Sequence, residues 1–243
     1  MYKLINSKLF SNFLKLIPKN LNLKFRNYFF SIYYFFSASN SLDLEDIKIN
    51  KLLINNFDSI DYKNIEIFDI GSGHPKIHSN SYFFYKKGSH TVAIDTNKKL
   101  INLFQKIRKK DTALFGAVSD DKSNEIFFYE MSPWELSTIN EEWYKYTLET
   151  TNSSLVSKHK VPILNISNVL EKHYNFQKQL HILMIDIEGE SSNLVNAIDF
   201  QKYKFDILLV EKDLKNFSPL LFELYELIDE DEFNYFFIKK LNP

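Results

Sequence analysis

The sequence predicts an open α/β fold, a mainly parallel sheet with helices on both faces and a helical extension ahead of it. Two observations carry that expectation. Apolar runs of strand length recur from residue 64 onward, and patterns of helical period stand between them. Strand and helix alternating at such short spacing require right-handed crossovers, which bury a parallel sheet on both faces. At 243 residues the chain is long enough for one sizeable core. We therefore expect residues 1–60 as a helical N-terminal extension and residues 61–243 as one domain, with an insertion at about 119–160.

In order, "NIEIFDI" reads as the first strand and "SNSYFFYKKG" as a helix closed by Gly88. "HTVAID" is the second strand, and "NKKLINLFQKIRKK" a helix with Leu100, Leu103, Phe104 and Ile107 along one stripe. "TALFGAV" is read as one third strand. Residues 119–160 interrupt the rhythm, with a turn and an alternating strand in "SDDKSNEIFFYE" and then a long polar and aromatic stretch without a strong period. "KVPILNIS", "LHILMIDIEGE" and "FDILLVE" are further strands, separated by helices at "NVLEKHY" and "SSNLVNAI". "SPLLFELYELI" is expected as the last helix and "FNYFFIKKL" as an edge strand.

Composition excludes several classes. A net charge of −1 argues against a nucleic-acid partner, because neutralising phosphates needs a basic surplus. Cysteine is absent, so disulfides, thiolate nucleophiles and thiolate-bound metals are excluded together, which fits a cytoplasmic protein. The first 42 residues carry basic side chains (Lys3, Lys8, Lys15, Lys19, Lys24, Arg26), no acidic one, and the cluster "NYFFSIYYFFSAS". This pattern suits amphipathic helices packed on the domain or on a second copy of the chain. Contact of residues 1–40 with the inner membrane face ranks second.

The segment "IFDIGSGHP" ends a buried strand in a tight turn, where ligands of open α/β sheets bind. A dinucleotide fingerprint would need a third glycine where Lys76 stands, so that reading fails. Asp69 ends the strand, and its charge would repel a pyrophosphate but suits the ammonium and sulfonium of S-adenosylmethionine. Gly71 and Gly73 let backbone approach the ligand. Asp95 ends the second strand, where a carboxylate accepts both hydroxyl protons of a ribose. The competing use of Asp69 and Asp95 is to cap the helices that follow.

"IFDIGSGHP", "TVAIDTN", "ALFGAVSDD", "VPILNISNVLEKH", "ILMIDIEGE" and "DILLVEK", in this order, resemble the successive motifs of FkbM-type S-adenosylmethionine-dependent methyltransferases, over roughly residues 64–212. The resemblance implies a class I methyltransferase (Rossmann-like) sheet. It implies that Asp69, Gly71, Ser72 and Gly73 hold the methionine end of the donor, Asp95 and Thr96 the ribose, and Ala117 with Val118 the adenine; Ser119 and Asp120 lie beside it. The family usually has alanine and asparagine where Ser72 and Gly73 stand, and a glycine near Pro75. Its usual products are O-methylated sugars or related small hydroxylated metabolites, so the expected acceptor is a sugar or sugar nucleotide.

Methyl transfer needs an aligned acceptor oxygen and a base for its proton. Asp186 and Glu188 stand on alternate positions of "MIDIEGE" and are expected on one side of a strand end, with Glu190 and Glu211 nearby. Such carboxylates serve as a base with partners or as hard ligands for Mg²⁺ or Ca²⁺; the sequence leaves a divalent metal open and assigns no metal ligand. We expect Asp186, Glu188 and His78 as the catalytic set and Glu190 at a helix terminus. His74 is a further candidate for substrate contact and His159 a weaker one, while His90, His173 and His181 read as structural. Trp134, Trp143, Tyr144 and Tyr146 either stack on a ligand or anchor the insertion. The reading is an O-methyltransferase that converts S-adenosylmethionine to S-adenosylhomocysteine. The alternative is a non-catalytic module of the same fold acting in assembly or at a membrane surface.

Overall fold

A computed structural model describes residues 39–213 and 216–241. Strands β1 (Ile65–Ile70), β2 (His90–Asp95), β3 (Thr112–Phe115), β7 (Leu180–Ile185), β8 (Ile207–Glu211), β9 (Tyr225–Glu230) and β10 (Asn234–Lys239) form one seven-stranded sheet in the order β3-β2-β1-β7-β8-β10-β9. The first five are parallel neighbours, and β10 pairs antiparallel with both β8 and β9. A mixed α/β architecture with a mainly parallel sheet is thus what the chain forms.

Both faces of the sheet are apolar, because successive strand side chains point to opposite sides and both sides are covered. Phe68, Ile70, Val92, Ile94, Leu183 and Ile185 face helices α5 (Ile166–His173) and α6 (Ser191–Ala197) through Val169, Leu170, Leu194 and Val195. Ile65, Ile67, Ile182, Met184 and Phe236 face α1 (Glu45–Asn56) and α2 (Tyr82–Lys87) through Ile49, Leu53 and Phe84. Helix α3 (Lys98–Ile107) buries Ile101 and Phe104, with Leu100, Leu103 and Ile107 half-buried beside them. Helix α1 lies within the expected extension; the proposed helices of residues 1–38 fall outside the described residues. Among the described residues no helix is long and apolar enough to cross a membrane.

Three expectations are corrected. "TALFGAV" is two strands: at Gly116 (φ +154°) the chain leaves the central sheet, and β4 (Ala117–Ser119) pairs instead with β6 (Ser154–Asn165). A Cβ at Gly116 would lie 2.8 Å from the Pro162 carbonyl oxygen, so the switch needs glycine. The alternating strand expected in the insertion is present as β5 (Glu125–Ser132), antiparallel to β6, but the stretch after it is ordered rather than loop-like, with a 3-10 turn at Trp134–Leu136 and helix α4 (Glu141–Thr150). Finally, "SPLLFELYELI" is helix α7 (Pro219–Leu224) only as far as Leu224. Its second half is the edge strand β9, and "FNYFFIKKL" lies inside the sheet between β8 and β9. The Tyr225 hydroxyl, buried and donating to the Phe205 carbonyl at 2.9 Å, fixes the point where helix gives way to strand.

Candidate functional site

The sheet order reverses at β1, whose neighbours are β2 on one side and β7 on the other. Beyond the carboxyl ends of these strands lies a cleft of about 310 Å³. Asp69, Gly71, Ser72, Gly73, Asp95 and Thr96 line it, with His78, Trp134, Asp186, Glu188 and Glu211 on its other walls.

The turn after β1 is tied to both neighbouring strand ends. Gly71 N and Ser72 N donate to the Ile94 carbonyl at 2.9 and 3.1 Å, and Asp186 N donates to the Ile70 carbonyl at 2.9 Å. Gly71 sits at φ +79°, and a Cβ there would fall 1.7 Å from the Asp186 carbonyl oxygen, so only glycine fits between β1 and β7. Gly73 N donates to Asp95 Oδ2 at 2.8 Å, and Asn97 N to Asp95 Oδ1 at 2.6 Å. The Ser72 hydroxyl is buried in this turn and has no hydrogen-bond partner among the described residues.

Neither aspartate caps a helix. Asn97 caps α3, its Oδ1 accepting from Lys99 N and Leu100 N. Asp69 instead accepts the hydroxyl proton of Ser81, the residue preceding α2. Both carboxylates face the one cleft. Burial pushes both upward from the usual carboxylate range, Asp95 to about 6. For Asp69 the Ser81 hydroxyl and the Arg108 charge oppose that shift.

A small apolar cavity of about 40 Å³ adjoins the cleft and shares Gly71, Asp95, Thr96 and Phe128 with it. Ala117 and Val118 line this cavity with Ile94 and Ile139. Such lining suits a flat aromatic base. Ser119 and Asp120 open onto a separate, more polar hollow that also touches Val118.

Strand β7 stops at Ile185, so Asp186 and Glu188 stand on a loop rather than on the strand itself. They still converge with Glu211, at the end of β8: one oxygen from each lies within 4.8 Å of the others. Burial and mutual repulsion raise Asp186, to about 8, and Glu211 well above its usual range. Burial likewise raises Glu188, to about 7, opposed by the Trp143 and Glu211 hydrogen bonds. Three such carboxylates can share protons, act as a base, or offer hard oxygens to a divalent cation.

The insertion holds this loop in place. Trp143 Nε1 donates to Glu188 Oε2 at 2.7 Å, Thr138 Oγ1 to the Glu188 carbonyl at 2.7 Å, and Asn140 Nδ2 to the Gly189 carbonyl at 3.3 Å. Glu190 stands at the N-cap of α6 and accepts from Asn140 and Asn193.

The histidines separate. His78 lines the cleft at φ 54°, its Nδ1 3.6 Å from Glu135 Oε1. His74 does not line the cleft: its Nδ1 accepts from Lys76 N and Ile77 N, both at 3.1 Å, and burial lowers it to about 4. His159 is exposed on β6 beside Ser157 and against the Phe128 ring, and it does not line the cleft. His90 and His181 flank the buried Glu66 at the far end of the strands. Of the insertion's aromatics, Trp134 packs on Gly73 and lines the cleft, and Tyr144 stacks on Tyr129 with 4.5 Å between ring centres. Sequence reasoning missed Glu45 and Asn234, which reach the cleft from α1 and β10, and the fully buried Arg108. Nothing local marks any of the three.

A family model described as "Methyltransferase FkbM domain" matches residues 69–237. No curated protein matches the chain.

Proposed function

Since the chain belongs to the FkbM methyltransferase family, we propose that it moves a methyl group from S-adenosylmethionine to a hydroxyl of a sugar or related small hydroxylated metabolite. The observation that carries this reading is that Asp69 and Asp95, at neighbouring strand tips, face one cleft with the carboxylate Asp186. The residues suit the donor: glycine backbone at positive φ leaves room beside the turn, carboxylates answer a positive charge, and the apolar cavity at Ala117 and Val118 suits adenine. When bound, S-adenosylmethionine supplies an electrophilic methyl on a sulfonium.

In this reading Asp69, with the turn from Gly71 to Gly73, holds the methionine end, and Asp95 with Thr96 holds the ribose. Asp186, ionised, takes the proton from the acceptor hydroxyl, because a carboxyl raised toward neutrality is a stronger base than an ordinary one. Glu188 is held by Trp143 and keeps the loop that carries Asp186 in register. His78 orients the acceptor from the opposite wall.

Charge selects among acceptors. Asp43, Glu45 and Glu135 join Asp69, Asp95, Asp186, Glu188 and Glu211 around the cleft, and among the described residues no Lys or Arg lines it. An anionic diphosphate would meet acidic side chains and no lining Lys or Arg to neutralise it, so the free sugar fits better than the sugar nucleotide. The test is calorimetry with S-adenosylhomocysteine, followed by transfer of labelled methyl to neutral sugars. Binding without turnover of any acceptor would favour the non-catalytic alternative, and absence of binding would defeat the donor assignment.

A further inference from the structure

Arg108 is fully buried, beneath the donor turn and away from every group that would touch an acceptor. A buried guanidinium must place all its N–H groups or leave costly orphans. Its Nε donates to Asp111 Oδ2 at 2.6 Å and its Nη2 to Thr91 Oγ1 at 2.8 Å. Its Nη1 donates to Ser81 Oγ at 2.8 Å. The rings of Phe104 and Tyr85 lie 4.6 and 5.0 Å from its central carbon, so the side chain has little room to turn.

The direction of the next bond follows from chemistry alone. Arginine has no acceptor, so Ser81 must receive from it, and the one hydroxyl proton of Ser81 is left to donate elsewhere. That proton goes to Asp69 Oδ2. A hydroxyl that accepts from a cation is a stronger donor, so the positive end of the relay is felt at Asp69.

We propose that Arg108, acting through Ser81, is a positioning residue for the donor: it pins Asp69 so that the other carboxylate oxygen faces the methionine ammonium. The inference rests on the donor reading above. Asp69 interacts with three other acidic groups: Asp95 at the end of β2, Asp186 on the loop after β7, and Asp111 beyond α3. Arg108 supplies the opposing charge, without which a buried carboxylate among carboxylates loses its hold on a cation.

The test compares two ligands that share the nucleoside and the thioether. S-Adenosylhomocysteine carries the amino-acid end, and 5′-methylthioadenosine lacks it. Wild-type protein, Ser81→Ala, Ser81→Thr, Arg108→Lys and the double variant Ser81→Ala/Arg108→Lys are titrated with both. The relay predicts that Ser81→Ala weakens S-adenosylhomocysteine by about tenfold, the range for a hydrogen bond to a charged group, while methylthioadenosine changes by less than about threefold. Ser81→Thr restores the loss, and the double variant is no weaker than the worse single one, because both changes cut one path. Equal loss of both ligands would mean general disruption of the turn and would overturn the proposal, as would independent, multiplying losses. Should Arg108→Lys fail to fold, the Ser81 pair decides alone. If wild-type protein binds neither ligand, it is the donor reading that has failed.

Discussion

The backbone N–H of Gly73 donates to Asp95 Oδ2 at 2.8 Å, joining the turn after β1 to the tip of β2 through a side chain. The other oxygen of Asp95 receives Asn97 N at 2.6 Å, so one carboxylate fixes two turns at once. Each oxygen keeps a further lone pair, and Asp95 lines the cleft, which is what a vicinal diol needs.

Asp95→Asn therefore removes more than charge. An amide has one acceptor oxygen, and its NH₂ would face a backbone N–H. The expected outcome is binding of S-adenosylhomocysteine weaker by about tenfold or more, read by calorimetry.

Gly71→Ala tests the closeness of β1 and β7. A methyl group 1.7 Å from the Asp186 carbonyl oxygen cannot be accommodated without parting the strand tips. We expect destabilisation of about 3 kcal/mol or more, measured by denaturant unfolding, together with loss of donor binding.

Asp186→Asn separates chemistry from binding. Loss of a general base costs about a hundredfold or more in turnover, while S-adenosylhomocysteine affinity stays within about threefold. In wild-type protein the single-turnover rate rises with pH as Asp186 ionises near 8. The variant has no such limb.

Glu211 provides a stability test with a defined sign. Its folded-state pKa is raised above the unfolded value, so the folded protein holds the extra proton and stability falls as pH climbs past the ordinary carboxylate range. Glu211→Gln removes that penalty. The variant melts higher than wild type at pH 8, by about 3 °C for each kcal/mol relieved, and the difference closes as pH falls below the ordinary carboxylate range.

Local rules made much of this legible. Asp69, Gly71, Gly73 and Asp95 declared themselves because strand ends and positive-φ turns have short-range signatures. The capping alternative failed for a reason also present in the chain: Asn97 stands where α3 needs its cap. What stayed hidden depends on distant partners. The break at Gly116 is set by the Pro162 carbonyl oxygen and Leu164, both far along the chain. Residues 225–228 read as helix because the pull of β10 on β9 has no local sign. His74 looked like a ligand because a ring nitrogen that satisfies two turn N–H groups is indistinguishable, in sequence, from one aimed at a substrate. Arg108 stood in a basic run ending α3, where a solvated charge is the ordinary reading, and only the fold takes it to Ser81 and Thr91.

The most direct measurement is a crystal structure with S-adenosylhomocysteine bound. Adenine is expected between Val118, Ile139 and Phe128, the ribose hydroxyls on Asp95, and the ammonium on Asp69. A nucleoside lodged anywhere else, or Asp69 and Asp95 both out of its reach, would contradict that placement.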